Sequence, residues 1–198
     1  QVLTQAMKVL TLMQQHRGLS SGLLGGSEAL REKVAAKAVA LDSAIGEFDA
    51  VLAGPGSDFR LEKGWAALKS QWARLKSDGL SMAQGDNFRA HTAMINDQLT
   101  FIGDLGDQSK LSLDPEAASY NLIEPMLRVI PEITERLGKL RGKGTGVIAK
   151  GSLERATLEL FDDADLGVTR SSDVDYRATI DDPRVADVRI LRPQEIPR

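Results

Sequence analysis

From residue 1 to about residue 143, apolar side chains return every three to four positions in five successive runs, broken by glycine or proline. A period of 3.6 belongs to helices with one buried face, so this pattern predicts a bundle of amphipathic helices and excludes a sheet protein. The first run spans about Val2 to Leu24, with a stripe of Leu3, Ala6, Leu10, Met13, Arg17, Ser20 and Leu24. Ser27 reads as an N-cap for a second helix carrying Leu30, Val34, Ala38, Leu41, Ile45, Phe48 and Leu52, which Gly54-Pro55-Gly56 stops. A third shows Leu61, Trp65, Leu68, Trp72 and Leu75 and ends at Gly79; the two tryptophans read as core. The fourth carries Phe88, His91, Ile95, Ile102 and Leu105, with His91 read as a core histidine. Asp114-Pro115-Glu116 marks the start of a fifth, with Tyr120, Ile123, Leu127, Ile130, Thr134, Leu137 and Arg141 on its stripe; Pro125 and Pro131 should kink it.

The writing changes near residue 150. All ten lysines lie at or before Lys150, and the seven cations beyond it are arginines. From Ser152 onward those 7 arginines face 11 acidic residues, against a formal charge of -3 for the whole chain. Ser152 to Leu166 reads as one more amphipathic helix, and "DYRATIDD" and "VADVRILRP" read as short strands around an Asp-Asp-Pro turn. The expected architecture is mainly α: an up-down antiparallel helical bundle over residues 1–148 and a short α/β tail over 149–198.

Composition narrows the chemistry. The chain has no cysteine, which excludes disulfides and thiol catalysis, and only two histidines, His16 and His91. Neither metal nor cofactor is expected; Asp162, Asp163 and Asp165 lack the glycine and glutamate of a calcium loop and read as a solvated acidic turn. The slightly negative balance gives no field that would attract nucleic acid. No apolar run approaches a membrane span, so membrane contact is expected only through flanking segments. The chain begins at Gln1 rather than Met, which fits a processed or trimmed piece.

Two residues contradict the apolar pattern. On a heptad, Leu3, Leu10, Arg17 and Leu24 share one position, so Arg17 stands where leucine stands. The fifth run repeats this, with Tyr120, Leu127, Thr134 and Arg141 sharing a position. Each arginine is followed by glycine, Gly18 and Gly142. A guanidinium in an apolar seam costs several kcal/mol unless it is paired. It can snorkel to the bundle end, pair with a buried carboxylate, or receive a small anion. The sequence neighbours Gln14, Gln15, Ser20 and Ser21 are neutral hydrogen-bonding groups, and the planar fork of arginine suits a planar oxyanion. With five alternating helices the first and fifth run the same way, which places Arg17 and Arg141 at the same end. A homodimer could instead bring two Arg17 residues together around one shared anion. His16 faces sideways from the seam and reads as a surface residue.

These residues carry a resemblance. "LMQQHRGLSSGLLGG", followed by "DQSKLSLDPEAASYNLIEPMLRVIPEITERLGKLRGKG", resembles the nitrate- and nitrite-sensing (NIT) domain over residues 2–148. The resemblance implies an all-helical sensor of nitrate or nitrite, extracytoplasmic in a bacterial membrane receptor, that signals by moving helices. Its anion-contacting arginine falls on Arg17, with Gln14, Gly18, Ser20, Ser21 and Arg141 as further candidates. Residues 150–198 resemble something else, the amino-terminal part of ATP phosphoribosyltransferase, through Lys150-Gly151-Ser152-Leu153, Tyr176-Arg177 and Leu191-Arg192-Pro193. That likeness implies a fragment of an enzyme of histidine biosynthesis, lacking the phosphoribosyl-pyrophosphate loop and inactive alone. A fusion, a gene-model error or a sensor sequence continuing through "KGSL" would each produce such a junction. Three functions are left open: an anion sensor binding a small anion as a homodimer, a transferase fragment, or a helical spacer whose arginines pair with protein carboxylates.

Overall fold

The computed structural model describes residues 2–56, 59–109 and 125–150, except for the side chains of residues 146, 147 and 150. The chain divides into two units, 1–151 and 152–198, and all described residues belong to the first. The expected strands, the acidic turn at Asp162 to Asp165 and the Asp114-Pro115-Glu116 helix start lie outside the described residues.

Among the described residues five α-helices form the bundle: α1 (Val2–Leu24), α2 (Arg31–Ala53), α3 (Glu62–Asp78), α4 (Gln84–Gln108) and α5 (Ile130–Lys150). No strand occurs among the described residues. Direction alternates along the chain. Lys8 meets Glu47 across α1 and α2, Trp65 and Trp72 meet Asp49 and Asp42 across α2 and α3, and Gln71 meets Asp97 across α3 and α4. Against α4, α1 pairs Ala6 with Gln98 and His16 with His91, so the two are antiparallel. Against α5 the numbers rise together: Arg17 meets Glu135, Gly18 meets Gly142, and Gly22 meets Thr145. α1 and α5 are therefore parallel, as five alternating helices require.

Why α1 breaks the one-stripe pattern follows from its position. It packs on α2, α4 and α5. It therefore buries Gln14, His16, Arg17, Ser20 and Ser21 as well as Ala6, Val9, Leu10 and Met13. The apolar core joins these to Leu41, Ile45 and Phe48 of α2, Trp65 and Trp72 of α3, and Ile95, Phe101 and Ile102 of α4. Two repeated staples close the α2–α3 side. The indole N–H of Trp72 donates to Asp42, which also takes Lys76; one heptad away Trp65 and Lys69 donate to Asp49.

Several chain ends depart from expectation. α1 ends in a Schellman turn, with Gly26 N–H on the Leu23 carbonyl and Ser27 N–H on that of Gly22. This turn needs a left-handed residue, and Gly26 supplies it at φ 109. Ser27 makes no side-chain cap, because a 3-10 turn, Glu28–Leu30, leads into α2 instead. Gly79 is right-handed and starts another 3-10 turn; its role is spatial, since the Asn87 amide donates to its carbonyl and leaves little room for a Cβ.

The largest departure precedes α5. Residues Pro125–Val129 form a wide π-helical turn, and Pro131, which has no N–H, sits just beyond it. Such a turn holds one extra residue. The buried positions after it are Pro131, Glu135, Gly138 and Gly142, each one residue later than the expected Ile130, Thr134, Leu137 and Arg141. The heptad read across this turn was therefore out of phase, and Arg141 is exposed on the bundle surface rather than set in a seam.

Candidate functional site

Arg17 stands at the middle of the interface that α1 makes with α4 and α5, and it is 0% exposed. The long side chain α5 sends to meet it is Glu135, 3% exposed. The two form a bidentate pair, with Nη1 donating to Oε1 at 2.5 Å and Nη2 to Oε2 at 3.0 Å. Gln14, one turn earlier on α1, donates its amide to Oε2 at 3.1 Å. Nη1 also donates to Thr92 Oγ1 at 3.0 Å, while that hydroxyl donates to the Phe88 carbonyl at 2.8 Å. The Phe88 ring lies 5.0 Å from the guanidinium carbon. Of its three nitrogens, Nε is buried without a partner.

Glycines make the approach possible. A Cβ on Gly138 would stand 3.1 Å from Arg17 Nη2, and one on Gly142 would stand 2.8 Å from the Phe88 ring and 3.6 Å from the Gly18 Cα. The glycine after each arginine thus serves one purpose: Gly18 and Gly142 are the crossing point of α1 and α5.

The neighbouring face of α1, about 100° round the helix, carries a second polar group. His16 is buried against Trp72 of α3 and His91 of α4, not on the surface, because both helices cover that face. His91 Nδ1 lies 2.9 Å from the Asn87 carbonyl, which can only accept, so this nitrogen carries the hydrogen. Its Nε2 then accepts from His16 Nδ1 at 2.8 Å. Burial, then the neighbouring His91, push His16 down to about 3. Burial, opposed by the Asn87 hydrogen bond and reinforced by the Arg17 charge, pushes His91 down to about 4. Both rings are neutral near pH 7.

Of the residues expected at the site, Arg17 and Gln14 meet there and Gly18 borders it. Ser20 lies on the histidine side, 3.3 Å from His16 Nδ1. Ser21 is buried, and its backbone carbonyl accepts from Gln84. Arg141 is absent from the site. Glu135, Thr92 and Phe88 were not foreseen. The expectation of a cation among neutral groups is corrected: the carboxylate comes from α5, out of reach of any reading confined to the neighbours of Arg17. The only available signal was an acidic residue one position from a seam, which the phase shift at the π turn concealed. Arg17 is enclosed within this one bundle, with Glu135 as its bidentate partner.

The interior of this all-helical bundle thus holds an arginine fork on a planar carboxylate, with Gln14 donating to that carboxylate and Thr92 accepting from the arginine. The family model described as nitrate and nitrite sensing matches residues 8–194, and the chain belongs to that family. No curated protein and no solved structure matches it. The family match continues through the expected junction near residue 150 and covers most of the tail.

Proposed function

We propose that the bundle binds nitrate or nitrite at Arg17, as the extracytoplasmic part of a bacterial membrane receptor involved in signal transduction such as chemotaxis, and passes the signal on through movement of helices. The observation that carries this reading is the Arg17 fork itself. It is fully buried, backed by Gln14 and Thr92, and already holds a planar oxyanionic group in bidentate geometry. Nitrate and nitrite present the same pair of coplanar oxygens as a carboxylate. Membrane attachment through flanking segments belongs to this reading; no described helix is long and apolar enough to cross a membrane. The receptor acts as a homodimer, and the surface offered for pairing is on α5, where Ile130, Ile133, Leu137 and Leu140 are exposed at 3-4-3 spacing. The family match through residue 194 supports taking the tail with the sensor rather than as a transferase fragment.

Calorimetric titration with sodium nitrate, using sodium chloride as control, tests this. Wild type is expected to bind nitrate, and the double variant Arg17→Met/Glu135→Leu to fold and not bind. Apolar replacement of both partners of a buried pair preserves stability where removal of one does not. Absence of nitrate binding in the wild type, or equal binding in the double variant, refutes the assignment.

A further inference from the structure

We infer that Glu135 is a built-in competitor of the anion, and that ligand binding displaces it and thereby releases α5 from α1. The inference rests on the reading of Arg17 as the nitrate contact and adds the residue that regulates it. Both Nη groups of Arg17 and the Gln14 amide are already engaged with Glu135 or Thr92. A second planar oxyanion cannot take the same fork while the carboxylate remains. The unpartnered Nε hydrogen gives an incoming anion its first foothold before the exchange is complete.

The consequence for α5 follows from what else holds that helix. Its described buried residues are Pro131, Glu135, Gly138 and Gly142, so three of the four offer little or no side chain. Its large apolar side chains, Ile133, Leu137 and Leu140 among them, face outward. Among the described residues, the buried grip of α5 on α1 rests on close backbone approach at the glycines and on Glu135, which takes both Arg17 and Gln14. Once the anion neutralises Arg17, the Glu135 carboxylate is a buried charge without its counter-charge, and burial of such a group is strongly unfavourable. It must reach water, and it can do so only if α5 turns or shifts. Anion affinity and helix position are then linked reciprocally.

Two measurements test this on the full chain. Glu135→Gln keeps the shape and removes the charge, so it should tighten nitrate binding by about tenfold or more, within the usual range for coupling between sites. In the wild type, saturating nitrate should accelerate amide exchange in residues 130–145 and leave that of α2 and α3 unchanged. Nitrate binding to wild type together with equal or weaker binding to Glu135→Gln overturns the competitor role and leaves the Arg17 assignment standing. Bound nitrate with unchanged or slowed exchange in α5 does the same, and it needs no variant. Absence of binding in both proteins overturns the Arg17 assignment and the competitor with it.

Discussion

His16 and His91 stay neutral in the folded bundle down to about 3 and about 4, whereas in the unfolded chain each takes a proton near the ordinary imidazole value of 6.5. Below that value the unfolded state binds protons that the folded state refuses. The contribution of the pair is thus fully present above pH 6.5 and is lost as pH falls toward the folded values. Between pH 7 and pH 5 the loss should amount to roughly 3–4 kcal/mol, at about 1.36 kcal/mol per pH unit per histidine. Urea unfolding at the two pH values measures it. His16→Gln/His91→Gln should flatten the dependence over this interval, and an unchanged slope in that variant would assign it to other groups. The same neutrality has a local effect. The nearest ring adds no positive charge beside Arg17, so the ion pair with Glu135 stays balanced.

At the scale of elements, the α1–α5 contact depends on absent side chains. Gly142→Val places a branched side chain where a Cβ alone would stand 2.8 Å from Phe88 and 3.6 Å from the Gly18 backbone. Overpacking of this kind should cost about 2 kcal/mol, read as a lower midpoint in thermal or urea unfolding. A stability equal to wild type would mean that α5 yields without loss. Helices α1 to α4 were legible in the sequence because each keeps one phase of the 3.6 period from end to end, even where a polar residue such as Arg17 or His91 takes an apolar position. The 3.6 period located α1 at Val2–Leu24, and an up-down alternation assumed from five successive runs matches the observed directions. The face of α5 was not legible, because one extra residue in the turn Pro125–Val129 rotates every later position by a step. The oddity of Arg17 could be read from its place among leucines. Its partner could not, since Glu135 lies 118 residues away and joins it only through the fold.

For the whole molecule, the exposed α5 stripe sets the expectation for assembly. Ile130, Ile133, Leu137 and Leu140 are each 44–60% exposed, an arrangement suited to a seam between two helices. Arg141 lies exposed beside that seam on the same helix, while Arg136 is paired with Glu132. Pairing two copies brings like charges together, so dimerisation should strengthen as salt rises, the reverse of an ion-pair interface. Sedimentation velocity at low and high sodium chloride checks this, with Leu137→Glu expected to remain monomeric at both. Dimers that weaken with salt would place the interface elsewhere.

The contact of Gly18 with Gly142 makes α5 a lever. A rigid rod held at one point converts a push on one arm into an opposite swing of the other. Glu135 lies seven residues, about 10 Å at 1.5 Å per residue, to one side of that fulcrum. The residues from Lys143 onward form the other arm. A small outward step at Glu135 that pivots there would press the carboxyl arm of α5 toward α1, where Thr145 already meets Gly22, with its direction inverted by the geometry of the crossing.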